Sequence, residues 1–183
     1  MKNAVILHGT SETDQSFWLP YIKDELEKVG YTVTIPALSE PDYPDLKNWL
    51  PTALKETYTN ETILIGHSAG GPLLLSVLES INVKVKQAIL VAGYARPKGK
   101  DKKPEAILQE KYNWEKIKEN VEEIIFINSD NDPWRCDDIE GRYMLDQLGK
   151  GKLIIMKSEG HMGSDTYNQP YKEFPFLLKL IDK

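Results

Sequence analysis

Residues 62–81, TILIGHSAGGPLLLSVLESI, constrain this chain more than any other stretch. Residues 62–65 are short, apolar and β-branched, the composition of a buried strand. Gly66-His67-Ser68-Ala69-Gly70 follows at once, and then Leu73, Leu74, Leu75, Val77, Leu78 and Ile81 are apolar nearly all round, as in a helix buried on most sides. Strand, G-x-S-x-G and helix together predict a nucleophile elbow. Its turn is too tight for side chains at positions 66 and 70, and it projects the Ser68 hydroxyl above the sheet edge. The helix N-terminus then aims free N–H groups at any negative charge that develops there. Pro72 falls in the first helical turn, where a missing N–H costs little. A glycine-rich turn with a solvated serine is the alternative, and partners elsewhere in the chain decide between them.

At 183 residues the chain fits one domain, 1–183, large enough to bury about 70% of its unfolded surface. A net charge of −5, with acids and bases interspersed, recommends neither nucleic acid nor an anionic membrane as partner. The one cysteine, Cys136, excludes an internal disulfide and points to a reducing, cytoplasmic setting. MKNAVILHG runs directly into a strand and lacks the parts of a signal peptide. No apolar run approaches the roughly 20 residues of a membrane span.

Short aliphatic runs recur at 4–7, 31–35, 88–91, 124–127 and 153–156, predicting five further strands. Helical patterns separate them. Trp18, Ile22, Leu26 and Val29 share a face after a Ser16 cap, with Gly30 as the stop. Leu46, Trp49, Leu50 and Leu54 follow Asp45. Trp114, Ile117 and Val121 mark a third pattern, and Ile139, Tyr143 and Leu148 a fourth, with Asp137 and Asp138 as cap or first-turn acids. Phe174, Leu177, Leu178 and Ile181 form a last stripe that Pro175 opens. Strands that are continuously apolar and alternate with helices indicate an α/β architecture around a mostly parallel sheet. Residues 95–110, ARPKGKDKKPEAILQE, break the pattern as a solvated loop or a short flap over the site.

A serine hydroxyl needs a base to take its proton. The chain has three histidines. His67 adjoins Ser68 across a sharp turn and is expected to pack within the elbow. His8 sits at a strand end and is expected to shape that loop. His161, in the glycine-flanked loop KSEGHMGS after the sixth strand, stands where open α/β sheets place functional groups, and is the predicted base. The base needs a carboxylate on its other nitrogen. In IIFINSDNDPW, Asp132 lies a few residues beyond the strand and is the predicted acid, held extended by Pro133, with Asp130 second. Ser68, Asp132, His161 is the α/β-hydrolase chain order. Backbone N–H groups of Ala69 and Thr10 are the expected oxyanion donors. Phe17, Trp18, Tyr94, Trp134 and Met162 either line an acyl pocket or pack in the core. Neither metal-ligand spacing nor a dinucleotide or phosphate-loop motif is present, so no cofactor is expected.

The elbow GHSAGG, the run WEKIK at 114–118, the SDNDPW segment and the EGH loop resemble the small retinoblastoma-binding-protein and YdeN-like serine hydrolases. The likeness spans most of the chain. It implies a reduced α/β-hydrolase fold, a three-layer α/β/α sandwich of about six mostly parallel strands without a large cap. It also puts nucleophile, acid and base on Ser68, Asp132 and His161. The L-x-C-x-E motif tied to retinoblastoma-protein binding is absent, so that partner is not carried over. The expectation is a serine hydrolase acting on small acyl esters, thioesters or amides. A non-hydrolytic binding protein of the same fold and an aminopeptidase or other amidase are the alternatives.

Overall fold

The computed structural model describes residues 2–98, 103–169 and 171–181. Its six strands are β1 (Asn3–Leu7), β2 (Thr32–Thr34), β3 (Thr62–His67), β4 (Val85–Val91), β5 (Val121–Ser129) and β6 (Lys152–Met156). They form one sheet in the order β2-β1-β3-β4-β5-β6, and every pairing is parallel. The helices are α1 (Leu19–Lys28), α2 (Leu46–Ala53), α3 (Gly70–Ser80), α4 (Trp114–Glu119), α5 (Asp138–Leu148) and α6 (Pro175–Leu180).

Strand order fixes the layers. Moving from β1 to β2 runs opposite to every later crossover, so right-handed connections put α1 on one face and α2 to α5 on the other. Consistent with this, α2 packs on α3, α3 on α4 and α4 on α5. The rings of Trp18 and Phe174, 5.7 Å apart, bring the start of α6 beside α1. The result is a three-layer α/β/α sandwich, the reduced α/β-hydrolase fold, and among the described residues no large cap covers it. Every residue of β3 is buried, as its apolar run requires, whereas the edge strand β6 leaves Ile155 exposed. No helix among the described residues is long and apolar enough to cross a membrane.

Several local expectations need correction. Ser16 does not cap α1: its hydroxyl accepts the Thr13 N–H at 2.9 Å, and Trp18 takes the cap position without a side-chain bond. Val29 lies past the end of α1 and is exposed. Val121 belongs to β5, because Asn120 ends α4 and its amide donates to the carbonyls of Leu78 and Ile81 at the end of α3. Asp45 and Asp137 do cap α2 and α5, accepting the N–H groups of Lys47 and Ile139. Within the predicted flap, residues 99–102 lie outside the described ones. Its second half is docked: Ile107 is buried, and the Ala106 carbonyl accepts the Leu46 N–H.

Candidate active site

The elbow is built as its glycines demand. Ser68 sits at φ 50°, a left-handed conformation that L-residues adopt at a cost. A Cβ at Gly66 would stand 2.5 Å from the Gly70 carbonyl oxygen, and one at Gly70 would overlap the Leu7 carbonyl. The Ser68 N–H donates to the Val91 carbonyl at 2.9 Å, anchoring the turn to β4. Ala69 caps α3, so the helix begins directly behind the hydroxyl.

The loops after β5 and β6 bring Asp132 and His161 together. His161 Nδ1 donates to Asp132 Oδ2 at 2.7 Å, and both residues are buried. Asp132 is held from its other oxygen, where Oδ1 accepts the Trp134 N–H at 2.7 Å, and its carbonyl accepts the Arg135 N–H. This is a compact turn in place of the extended connection that Pro133 suggests. The His161 N–H donates to Gln169 Oε1 at 2.8 Å, fixing the main chain of the loop. Burial pulls the His161 pKa below the ordinary histidine value despite the Asp132 hydrogen bond, and the nearby His67 pushes the same way. With Nδ1 bonded to the carboxylate, the neutral ring presents a free lone pair at Nε2.

Ser68 and His161 line one cleft of about 320 Å³ at the carboxyl edge of the sheet, without a hydrogen bond between them. Where a serine and a histidine act as nucleophile and base, their contact is often long without substrate and tightens in the Michaelis complex. Thr10, Ser11, Glu12 and Phe17 line it from the loop after β1, Tyr94, Lys98 and Glu105 from the segment after β4, and Trp134, Cys136 and residues 163–166 complete the cleft. Trp18 and Met162 do not line it. Trp18 is fully buried behind the site and its Nε1 donates to the Met162 carbonyl at 2.7 Å, so these two brace the His161 loop from within the core.

Three successive amides follow β1. Gly9 N–H donates to Glu12 Oε2 and Ser11 N–H to the Pro41 carbonyl. The amide between them, Thr10, makes no hydrogen bond among the described residues, and neither does that of Ala69. Asp130, the second candidate acid, is turned away onto Lys157 and the Ser158 N–H. His8 is buried and donates from Nδ1 to the Gly9 carbonyl, as a loop-shaping residue should.

Glu12 escaped sequence reasoning because it lies in a short polar loop with no spacing that marks it. It is 3% exposed, and its Oε1 accepts from His67 Nδ1 at 2.7 Å. Asp132, Cys136 and His161 set possible ligand atoms within 4.8 Å of one another. The first and third are already bonded to each other, and burial pushes the Cys136 thiol well up, away from the thiolate a metal prefers.

Comparison with known proteins places these residues in context. A family model described as serine hydrolase matches residues 4–181. The serine hydrolase RBBP9 of Rattus norvegicus is 28% identical over 174 residues, covering 91% of this chain and 90% of its own. The YdeN protein of Bacillus subtilis is 28% identical over 135 residues, 72% of this chain and 71% of its own. The crystal structure of the ydeN gene product superposes with a TM-score of 0.88 over 98% of this chain and 96% of that one, at 24% identity. Est1E of Butyrivibrio proteoclasticus superposes with a TM-score of 0.69 over 100% and 90%, at 13% identity.

Proposed function

Because the chain belongs to the serine hydrolase family, we propose that it cleaves small acyl esters, thioesters or amides through an acyl intermediate on Ser68. The observation that carries this reading is the buried 2.7 Å Asp132–His161 pair, whose His161 lines the same cleft as a serine held at φ 50°.

His161 Nε2 takes the Ser68 proton as Oγ attacks the substrate carbonyl carbon. The carbonyl oxygen becomes an oxyanion between the Thr10 and Ala69 N–H groups, with the α3 N-terminus behind it. Collapse of this tetrahedral species breaks the bond to the leaving group, which departs with the proton from His161. Water then enters, gives its proton to His161 and attacks the acyl carbon. A second collapse frees the acid and returns the proton to Ser68. Throughout, Asp132 keeps the ring in the Nδ1–H tautomer and stabilises the imidazolium.

A cleft of about 320 Å³ lies at the small end of ligand sites, which favours short acyl groups. The single, buried Cys136 suits a reducing cytoplasm. The test is fluorophosphonate labelling of the wild type and of Ser68→Ala, followed by turnover of p-nitrophenyl esters against aminoacyl anilides. Labelling confined to the wild type supports the acyl-serine reading. A folded wild type that neither labels nor turns over any member of the panel refutes it.

A further inference from the structure

Behind the nucleophile lies a second carboxylate–imidazole pair that this mechanism does not use. The His67 ring is fully buried, with both nitrogens on acceptors: Nδ1 on Glu12 Oε1 at 2.7 Å and Nε2 on the His161 carbonyl at 3.0 Å. A neutral imidazole has one N–H and satisfies one acceptor. Only the doubly protonated ring donates to both. The other oxygen of Glu12 accepts the Gly9 N–H at 2.8 Å, so one carboxylate grips the loop that carries the Thr10 amide and, through His67, the main chain of the base.

We infer that Glu12 and His67 are positioning residues for the hydrolytic machinery, with His67 held as a permanent imidazolium that clamps the His161 carbonyl while Glu12 fixes the Thr10 loop. The inference rests on the hydrolase reading for its catalytic consequence, though its geometry stands alone. Neither residue offers a free polar atom to the substrate: the His67 ring is sealed with both nitrogens engaged, and Glu12, which borders the cleft, has its two oxygens bonded to His67 and to the Gly9 N–H. Gly9 shows how tightly the parts fit. A Cβ there would stand 2.7 Å from Glu12 Oε1 and 2.9 Å from the Ser68 Cβ.

The charges around the pair support it. Burial opposes a proton on His67, but the Glu12 charge and hydrogen bond, the His161 carbonyl and the Asp132 charge together raise its pKa above the ordinary value. His8, at the end of β1, is a further titratable neighbour and is itself held down by burial. Lys172 lies outside the intervening Phe17 ring. Around His161 stand Asp132, Cys136, Glu12 and His67, with His67 5.0 Å away between ring centroids. The His67 cation lowers the His161 pKa more than the Glu12 anion raises it. Neutralising the pair therefore moves the base's titration upward.

The experiment is nitrogen-15 NMR of the three histidine side chains in the full chain, joined to kinetics with p-nitrophenyl acetate. At about pH 8, above the ordinary histidine pKa, wild-type His67 should carry protons on both nitrogens while His161 carries one, on Nδ1. Glu12→Gln, nearly isosteric, should return His67 to the neutral ring and raise both the His161 titration and the acid limb of kcat/KM. It should lower kcat on the order of 10- to 100-fold with KM within about twofold, the mark of misplacement rather than lost substrate contact. A purely structural role would lower the melting point and leave both the His161 titration and the kcat of the folded fraction in place, and that result overturns the proposal. So does a singly protonated His67 in the wild type, which decides the matter even if the variant fails to fold. A wild type without turnover or fluorophosphonate labelling sinks the hydrolase reading instead, while the NMR arm still tests the clamp.

Discussion

Replacing Asp132 with asparagine should disable the enzyme through a proton on the wrong nitrogen, and the structure dictates why. The carboxylate faces two N–H donors, Trp134 N–H on Oδ1 and His161 Nδ1–H on Oδ2, each at 2.7 Å. An asparagine offers one acceptor and one donor. The main-chain N–H of Trp134 cannot be inverted, so the amide oxygen stays on it and the NH2 group turns to His161. The ring then accepts at Nδ1 and carries its proton on Nε2, the nitrogen that must receive the Ser68 proton. The same tautomer error in a serine protease lowers kcat by about 10⁴, or about 5 kcal/mol of transition-state stabilisation at about 1.36 kcal/mol per decade. Because the defect lies in the proton transfer, the loss belongs in kcat, with KM nearly unchanged. The assay is p-nitrophenyl acetate turnover on protein shown by its melting curve to be folded. Asp130→Asn serves as control, since that carboxylate is bonded to Lys157 and Ser158 and should leave kcat unchanged. An active Asp132→Asn beside an inactive Asp130→Asn would refute the assignment of the acid.

Ser68→Ala and Ser68→Gly should both abolish labelling and turnover, yet the glycine variant should melt higher, by the equivalent of about 1 kcal/mol. Positive φ costs alanine what it costs serine and costs glycine nothing, less the glycine entropy term. Equal melting points would remove the strain reading. The acid limb of kcat/KM should have its midpoint below the ordinary histidine value of 6.5, because burial lowers the His161 pKa and the base works only when neutral. A limb above that value contradicts the environment described for the ring. Gly9→Ala should lower kcat by at least about tenfold, as its Cβ displaces Glu12 or Ser68; wild-type kcat in a folded Gly9→Ala would show the loop to be slack.

The fold was legible because each strand of a sheet covered on both faces must be a continuous apolar run, and the runs at 4–7, 62–65, 88–91 and 124–127 are too short and β-branched to be helices. Boundaries were less legible. The strand that opens at Val121 reads as helix from Trp114 onward because an apolar residue at the right interval serves either period; only the Asn120 side chain, bonded to the end of α3, breaks the reading. That Asp132 and His161 meet could be read from position in the chain, since both follow strands at the carboxyl edge of the sheet. Trp18 and Met162 could not be sorted from Phe17 and Trp134 by sequence. Which aromatic faces a cleft and which braces it from behind depends on where each loop turns, and hydrophobicity is the same on both sides.

Glu12 illustrates the harder limit. Nothing in SETDQ distinguishes a buried carboxylate from its solvated neighbours, and the pairing with His67 spans 55 positions. Nor does the pair advertise itself through stability: removing two charges from water costs several kcal/mol per ion, and a buried ion pair is often no better for folding than a hydrophobic replacement. What the charges supply is direction. A carboxylate accepts from Gly9 and His67 at once, an imidazolium donates in two opposed directions, and an apolar side chain of equal volume could do neither. Ser68 is placed by glycines that leave no room for a side chain, and His161 by hydrogen bonds at its Nδ1, its N–H and its carbonyl. The two constraints meet at Gly9, packed between Glu12 and Ser68, which is why a small residue there matters to both.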